Sequence, residues 1–344
     1  DTRVCSGWLD RLRASAYSAP NIGTVTPLSN NATLLSFPRS FEENELPEGI
    51  SLEQVDRLCA TVNAGVVVDL PTGVGFCFYI KRSLLDEIGL FDEKRWGKGY
   101  GEENDFCFRA SHKGWRNVAA CDVFVFHEGS VSFGQGRVEI MRQNQAKLDA
   151  LYPDYQNLIQ RFRLQDPLKS ARSRLSLALL SLRSSRHLLY IAHTWGGGTE
   201  RALRDLERIL RDEGESVLIL RAISADRWIL ESLNDGLSLT YEGGNLLENV
   251  VPDLEALSIW HVHYHQVLGF GPEIWSLPER LGVAFDVTIH DFTAICPRVT
   301  LMNGPASYCG DEQYRLDSCE RCVRINGLES AMEKPFQRAG GSVT

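Results

Sequence analysis

The 344-residue sequence has no apolar run long enough to cross a bilayer, and it lacks the basic and apolar start of a secretory signal peptide. Its formal net charge of −9 leaves no overall excess of positive charge, which argues against a nucleic-acid-binding protein. We find no internal repeat and no low-complexity tract. The expectation is therefore a soluble globular protein, since 43% hydrophobic and 24% charged residues are ordinary for that class.

The sequence also has no initiator methionine, because it opens on Asp1 in the middle of a motif described below, and we therefore expect it to be a fragment. Its nine cysteines are an odd number scattered through strand-like and helix-like text. That distribution predicts reduced thiols and a cytoplasmic setting rather than a disulfide scaffold. The length is sufficient for two domains of ordinary size.

The sequence predicts an α/β fold class with two domains, 1–150 and 187–344. The second opens with HLLYIAHTWGGGTERALRDLERILRDEGESVLIL, in which a strand, a glycine loop, an amphipathic helix and a second strand succeed one another. This order is typical of a parallel sheet.

Residues 151–186 are predicted to be a basic amphipathic helical linker. Residues 161–186 carry seven basic residues against one acid. One helical face collects the apolar residues Leu168, Ala171, Leu175, Ala178, Leu179 and Leu182. Such a helix either lies on the inner face of the cytoplasmic membrane or packs on one of the domains as a connector.

In the first half, GEENDFCFR (101–109) places three carboxylates in one turn before an apolar run. They either stabilise a helix N-terminus or include a base at the floor of a pocket. The helix predicted over Asn104–Lys113 precedes a strand that ends at His127, so the acids and this histidine can share one rim of a sheet. The sequence upstream of this segment predicts strands at Val66–Leu70 and Val74–Ile80 and a helix at Ser83–Ile88.

The segments PTGVGFCFYIKR, IGLFDE, GEENDFCFRA with KGW, and FHEGSVSFG, in this order, resemble the second half of family-2 glycosyltransferases of the GT-A fold. The resemblance implies that Glu103 is the general base for the acceptor hydroxyl, although the family usually has Asp there, and that Asp105 is the motif's second acid. The alternative for Asp105 is a structural role, as a helix-start or arginine-pairing carboxylate. Trp96 and Glu102 are expected to line the acceptor cleft.

The opening DTRVCSGWLDRLRAS and NIGTVTPLSN resemble the text after the same family's DxD-like motif. The resemblance implies that Asp1 is the last carboxylate of that motif and that His127 completes the shell of a Mg²⁺ or Mn²⁺ ion on the donor diphosphate. The alternative for His127 is a rim histidine without a metal.

In the second half, the glycine loop and FDVTIHDFTAICPR resemble the N-terminal, Rossmann-like domain of family-4 glycosyltransferases of the GT-B fold. The resemblance implies that His290 and Asp291 line an acceptor cleft and that the loop lies near the donor phosphates. The loop residues concerned are Gly196, Gly197, Gly198, Thr199 and Glu200. Three histidines in HVHYHQ (261–266) would share one strand face, as a polar cleft wall or as a metal site.

Four cysteines near the end of the sequence have the spacing C-x12-C-x9-C-x2-C. Cys296, Cys309, Cys319 and Cys322 fit a tetrahedral structural zinc site, and the alternative is four reduced thiols without metal.

Together the two halves lead us to expect a fragment of a bifunctional glycosyltransferase of bacterial surface polysaccharide synthesis. Its partners would be a nucleotide-sugar donor and a glycan or lipid-linked glycan acceptor. The fragment is expected to lack most of both donor sites and to transfer no sugar alone. The rival hypothesis is a non-catalytic carbohydrate-binding or scaffold protein with transferase-like folds.

Overall fold

The computed structural model describes residues 1–97, 100–129, 137–234, 236–290, 292, 296, 298, 301–302, 308–309 and 316–326, without the side chains of 137–138, 316–318 and 326. The described chain forms two compact units. The first comprises Asp1–Leu179 with residues 236–237, and the second comprises Leu180–Asn234 and the described residues from Ser238 onward. The division falls inside segment 151–186, which the sequence analysis predicts to be a linker.

The first unit alternates short helices with the strands of one sheet. Its strands are β1 (Thr2–Arg3), β2 (Ile22–Ser29), β3 (Val67–Leu70), β4 (Tyr79–Ile80) and β5 (Arg116–His127). Its helices are α1 (Trp8–Tyr17), α2 (Leu52–Val62), α3 (Arg82–Ile88), α4 (Glu93–Trp96), α5 (Glu102–His112), α6 (Arg137–Leu151), α7 (Tyr155–Gln165) and most of α8 (Lys169–Arg183).

The sheet of the first unit is built around β5. Its strand order is β1-β5-β2-β4, with β3 also paired to β5. β5 is parallel to β2 and antiparallel to β1 and β3. Most of β5 is buried, and α1 packs Leu12 and Ala16 against β2 and β5. A strand covered on both faces reads as a continuous apolar run, as β5 does. Its length carries His127 to the rim of the sheet.

Several predicted elements of this unit are confirmed, namely β3, α3 and the strand that ends at His127. The predicted strand Val74–Ile80 is wrong, because only Tyr79–Ile80 is extended and paired. Gly73 packs so closely that an added Cβ would lie 2.7 Å from Thr26 Oγ1 and 2.4 Å from the Phe78 ring. Residues 71–78 form a loop, and this close packing leaves no room for a side chain at position 73.

The segment 151–186, predicted as a helical linker, contains more than one helix, because α7 ends at Gln165 and the next residue, Asp166, adopts a left-handed φ of 43°. Pro167 follows, and a proline disfavours helical geometry in the residue before it. The apolar face of α8 is largely buried, with Leu168, Leu175 and Leu179 each 0% exposed. Asn63 Nδ2 donates to the Ala171 carbonyl at 3.1 Å, so the helix packs within the fold.

The second unit contains one six-stranded sheet among its described residues. Its strands are β6 (His187–His193), β7 (Val217–Ser224), β8 (Arg227–Glu231), β9 (Ser238–Glu242), β10 (Ile259–Tyr264) and β11 (Ala284–Val287). Its helices beyond α8 are α9 (Gly197–Asp212), α10 (Leu246–Ala256), α11 (Leu277–Leu281) and α12 (Leu316–Asn326).

The strand order of this sheet is β11-β10-β6-β7-β8-β9. The first four strands are parallel, as predicted, and the last two add as antiparallel hairpins. α9 packs Leu203 on Leu188 and Tyr190 of β6, which forms the core of this face. Both units are thus mixed α/β structures. In the described part of the chain no helix is both long and apolar enough to span a bilayer.

Candidate functional site

The first turn of α5 carries a glutamate whose carboxyl pKa is raised. Glu103 lies in the first turn, and its carboxyl carbon lies 4.0 Å from the position that a Cβ on Gly75 would occupy. Burial and the neighbouring Glu102 carboxylate raise the pKa of Glu103 to about 7, against the opposing effect of backbone N–H groups at Gly101 and Glu103. A carboxyl with such a pKa can take up and release a proton near neutral pH.

The loop 71–78 is held against α5 by two hydrogen bonds. Thr72 donates its hydroxyl to Oδ1 of Asn104 at 2.7 Å, and the Gly73 N–H donates to Sγ of Cys107 at 3.1 Å. Burial raises the pKa of Cys107 to about 12, so that its sulfur remains a neutral thiol. The helix that carries Glu103 therefore also positions the loop opposite it.

The same loop reaches His127 at the end of β5. The Phe76 ring stacks on the His127 imidazole with centroids 5.3 Å apart and planes 21° apart. Since Gly75 lies beside Glu103, Glu103 and His127 flank one short loop. The acidic start of α5 and the histidine at the end of β5 are thus connected through residues 75 and 76 of this loop.

His127 is fixed in orientation. Its Nδ1 lies 2.7 Å from the Asn31 carbonyl oxygen, which can only accept, so Nδ1 carries a proton. Asn30 accepts from the His127 backbone N–H at 2.8 Å and donates to its carbonyl at 3.0 Å. Orientation by a backbone carbonyl of this kind is typical of a histidine prepared for a metal ion.

Strand β1 brings Asp1 to the same place. Thr2 is the register partner of His127, and the Glu128 N–H donates to the Asp1 carbonyl at 2.9 Å. The backbone of Asp1 therefore lies beside the end of β5. No group of three or more His, Cys, Asp or Glu side chains within the described ranges is arranged to hold a metal ion.

Asp105 is engaged differently from Glu103. It is 0% exposed, its Oδ2 accepts from Arg109 Nε at 2.9 Å, and its Oδ1 accepts from the Tyr152 hydroxyl at 2.7 Å. The Arg109 guanidinium also donates to the carbonyls of Ile88 and Leu90 at 2.7 and 3.0 Å. This is the geometry of the arginine-pairing alternative, and it ties α5 to Tyr152, which follows α6, and to the end of α3.

Trp96 and Glu102 lie next to this turn. Trp96 is 2% exposed, and its ring packs so closely on Gly101 that a Cβ there would come within 2.6 Å. Gly101 has a φ of 134°, which also favours glycine. Trp96 Nε1 and Glu102 Oε2 are buried without a hydrogen-bond partner among the described residues. Buried polar atoms of this kind normally have a partner, and a bound hydroxyl could supply one.

In the second unit, the glycine loop opens α9 after β6. Gly196 and Gly197 have φ values of 75° and 77°, which side chains other than glycine rarely adopt. Beside the loop is a cavity of about 340 Å³. Its lining residues come from the loop, α9 and the β7–β8 hairpin, and they are Thr194, Gly196, Glu200, Arg204, Arg221, Ile223, Ile229 and Glu231.

The charges of this cavity are paired among themselves. Arg221 is buried and contacts Glu200 Oε2 at 2.9 Å, Glu231 Oε1 at 2.7 Å and the His193 carbonyl at 2.7 Å. Arg204 contacts Glu200 Oε1 at 2.8 Å. Because both arginines are already paired with carboxylates, phosphate binding here would depend on the backbone N–H groups of the loop. Sugar hydroxyls, which both donate and accept, suit this balanced lining better.

The histidines of β10 share one face, as their spacing predicted. His263 and His265 stack with centroids 4.0 Å apart, and His265 Nδ1 lies 3.0 Å from His290 Nε2. His261 Nε2 and His263 Nδ1 lie 3.2 and 3.4 Å from Asp286 Oδ1. Burial, His263 and His290 lower the pKa of His265 to about 3. His290 is therefore part of a polar wall of imidazoles, and Asp291 lies outside the described residues.

The four C-terminal cysteines are free thiols, as are the other described cysteines. Cys296 is buried, Cys309 is exposed, and Cys319 and Cys322 lie between these limits.

Sequence reasoning missed several residues that shape both sites. Thr72 and Phe76 belong to PTGVGF, where the two glycines signalled close backbone approaches. Arg221 interrupts the apolar strand VLILRAIS, and a charge in such a strand is a signal of a buried partner. Tyr152 carried no signal, because its contact with Asp105 spans 47 residues.

Comparison with known proteins found no family model that matches the chain and no matching curated protein. The function is therefore argued from the geometry of the two units.

Proposed function

We propose that the chain is part of a glycosyltransferase that moves a sugar from a nucleotide-sugar donor to a glycan or lipid-linked glycan acceptor. Glu103 of the first unit is the base in this proposal. The observation that carries it is the Glu103 carboxyl, whose pKa is raised to about 7, beside a loop that also contacts His127.

The reaction requires one proton acceptor. The acceptor hydroxyl gives its proton to the Glu103 carboxylate, its oxygen forms a bond to the anomeric carbon, and the bond from that carbon to the diphosphate breaks. The nucleoside diphosphate leaves with the electron pair. A base with a pKa near the working pH serves this proton transfer best, because it is both deprotonated and basic enough.

The orphaned atoms beside Glu103 support an acceptor at this place. Glu102 Oε2 can accept a hydrogen bond from a sugar hydroxyl and Trp96 Nε1 can donate one. Asp105 is a positioning residue in this proposal, since Arg109 and Tyr152 occupy its two oxygens. Its part is to hold the first turn of α5 in place.

Asp1 and the Nε2 atom of His127 would hold a Mg²⁺ or Mn²⁺ ion. Such an ion neutralises the negative charge of a leaving diphosphate. The part of His127 itself is to present Nε2 in a fixed direction, which its contacts with Asn30 and Asn31 secure.

The second unit is proposed to contribute another sugar-binding site, formed by Gly196–Glu200, the cavity beside them and the wall that includes His290. Its paired charges favour neutral hydroxyl groups. Attachment to a membrane, if this chain has it, would depend on basic side chains such as Arg161 and Arg163, because the apolar face of α8 is buried in the fold.

The test is turnover of the full-length protein with Glu103→Gln. The expected loss is about 10²–10⁴-fold with folding retained, and kcat/KM of the unaltered protein should rise with pH through a midpoint near 7. Glu53→Gln is the matched control, since Glu53 also lies in the first turn of a helix but is exposed on α2. Near-normal turnover of Glu103→Gln would contradict the assignment.

The scaffold alternative makes a different prediction. A non-catalytic carbohydrate-binding protein would bind glycans while showing no transfer from UDP-, GDP- or dTDP-sugars with Mn²⁺ in the full-length form. Transfer that depends on Glu103 excludes this alternative.

A further inference from the structure

The cavity beside the glycine loop is lined on one side by the β7–β8 hairpin. Arg221 of β7 and Ile229 of β8 are register partners, and Ile219 and Glu231 are the next pair on the same face of the sheet. The face that carries Ile229 therefore also carries Arg221 and Glu231, and α9 brings Glu200 to it. One cation and two carboxylates thus meet on a single surface of the second unit.

The Arg221 guanidinium is held by the protein from three sides. Its Nε atom donates to Glu231 Oε1 at 2.7 Å, and its Nη1 atom donates to the His193 carbonyl at 2.7 Å. Its Nη2 atom lies 2.9 Å from Glu200 Oε2. All three nitrogen atoms are therefore engaged, and the side chain is only 6% exposed. A ligand anion can pair with this cation only if one of these partners moves away.

Glu200 neutralises more than one positive charge. Its Oε2 atom contacts Arg221, and its Oε1 atom contacts Arg204 Nη2 at 2.8 Å. It also lies in the first turn of α9, where a carboxylate offsets the positive end of the helix dipole. The arginines and the helix N-terminus are the features that would attract a phosphate, and the protein's own carboxylate already occupies both.

The cavity lining consequently has no net charge, since it contains two carboxylates and two guanidinium groups. A phosphate or carboxylate group that entered would lie against Glu200 and Glu231, whose side chains are only 20% and 29% exposed. Repulsion between like charges is weakly screened at such partly buried positions and costs several kcal/mol at protein interfaces. A repulsive element directed against one class of ligand is a common source of specificity.

An uncharged sugar meets no such obstacle. A hydroxyl group can accept from a guanidinium N–H and donate to a carboxylate oxygen, and both kinds of group have capacity for several hydrogen bonds. Ile223, which is 47% exposed, and Ile229 add apolar surface for the C–H groups of a sugar ring. An apolar wall with a few placed polar groups is the usual composition of a small-molecule site.

We propose that Glu200 and Glu231 are specificity-determining residues that exclude anionic ligands from this cavity. The cavity takes an uncharged sugar of a glycan and rejects inorganic phosphate, sugar phosphates and acidic sugars. This inference deepens the sugar site proposed for the second unit and rests on that proposal. It assigns the cavity to a neutral part of the glycan rather than to the diphosphate of a donor.

The test is calorimetric titration of the 344-residue chain with inorganic phosphate at low ionic strength and neutral pH. The unaltered chain should show a dissociation constant above about 10 mM, which is weaker than any specific complex. Glu231→Gln keeps the size of the side chain but leaves the lining with a net positive charge. It should bind phosphate at least about tenfold more tightly than the unaltered chain, because one like charge has been removed.

Glu242→Gln is the matched control for Glu231→Gln. Glu242 lies on the neighbouring strand β9 and pairs with Arg227 at 3.0 Å, but the two side chains are 48% and 52% exposed and neither lines the cavity. This variant also frees an arginine, yet it should gain no phosphate binding. Glu200→Gln removes the same charge from α9 and should show the same gain as Glu231→Gln. It keeps the test decisive if Glu231→Gln does not fold.

Two results would overturn the proposal. One is phosphate binding to the unaltered chain as tight as that of Glu231→Gln. The other is the absence of any gain in folded Glu231→Gln and folded Glu200→Gln, with folding checked by circular dichroism.

Failure of the proposed function would look different. The phosphate titration requires no turnover, so a failed Glu103 test leaves it intact. Titration of the unaltered chain with neutral mono- and disaccharides tests the sugar site of the second unit directly. No binding of these sugars, together with a gain of phosphate binding in Glu231→Gln, would overturn the sugar site and still support the exclusion of anions.

Discussion

The Tyr152 hydroxyl donates a hydrogen bond of 2.7 Å to Oδ1 of Asp105, whose other oxygen accepts from Arg109 at 2.9 Å. Two residues earlier in the same turn, burial dominates the environment of Glu103 and raises its pKa to about 7. One helix start thus holds a carboxylate that is paired with a cation and another that can exchange a proton. Neutral substitutions of these two acids, only two positions apart, are therefore expected to change the stability of the protein in opposite directions.

Asp105→Asn should destabilise the protein by about 2–4 kcal/mol, because it breaks a buried ion pair whose arginine is partly exposed. Urea unfolding at neutral pH measures this. Asp69→Asn is the matched control, since Asp69 pairs with Arg116 at 2.7 Å but is 67% exposed, and it should cost less than ~1 kcal/mol. Equal effects of the two substitutions would show that Asp105 has no special structural part.

Glu103→Gln should make the protein more stable at pH 8 than the unaltered chain. The pKa of Glu103 is raised from 4.5 to about 7 in the folded state. Between these two pH values the folded state therefore keeps a proton that the unfolded state has lost. Its contribution to stability is therefore full below pH 4.5 and is lost as the pH rises through 7, up to roughly 3 kcal/mol.

The measurement is urea unfolding of Glu103→Gln and the unaltered chain at pH 5 and pH 8. The difference should be small at pH 5 and should grow toward pH 8. Glu53→Gln, at the exposed start of α2, should not gain stability with rising pH. A difference that does not depend on pH would mean that Glu103 titrates normally.

His265→Gln should make the second unit less sensitive to acid. The pKa of His265 is lowered from 6.5 to about 3 by burial and by the adjacent His263 and His290, so the folded state resists protonation. Its contribution to stability is full above pH 6.5 and is lost as the pH falls toward 3, at up to about 1.4 kcal/mol per pH unit.

Hydrogen exchange of the β10 amides between pH 4.5 and 7 measures this, after correction for intrinsic exchange rates. Protection in the unaltered chain should fall with acid more steeply than in His265→Gln. His112→Gln, an exposed histidine of the first unit, should leave the β10 profile unchanged. Identical slopes for all three proteins would contradict the expectation.

Gly73→Ala should destabilise the first unit by about 1–3 kcal/mol, because its Cβ would lie 2.4 Å from the Phe78 ring and 2.7 Å from Thr26 Oγ1. Gly75→Ala is the matched control two residues away, where a Cβ would meet only the Glu103 carboxyl carbon at 4.0 Å. Thermal unfolding separates the two. A larger loss of stability in Gly75→Ala than in Gly73→Ala would contradict this loop conformation, which the hydrogen bonds of Thr72 and Cys107 hold against α5.

The sequence alone determined the elements whose signals are local. A buried apolar run followed by glycines and an amphipathic repeat predicted β6, α9 and β7, because such signals depend on neighbours within one turn or one strand. The period of two in HVHYHQ likewise placed three histidines on one strand face. The acidic start of α5 and the end of β5 at His127 were predicted in the same way.

Tertiary structure decided what depends on residues far apart in the chain. Val74–Ile80 reads as a strand, but residues 71–78 form a loop in which Gly73 packs closely against Thr26 and Phe78. The sequence left Asp105 open between a part in the acidic motif and pairing with an arginine, and its contacts with Arg109 and with Tyr152, 47 residues further along, exist only in the folded chain. Desolvation and ion pairing act through space, so the folded chain, and not the order of its residues, sets which carboxylate is free to take a proton.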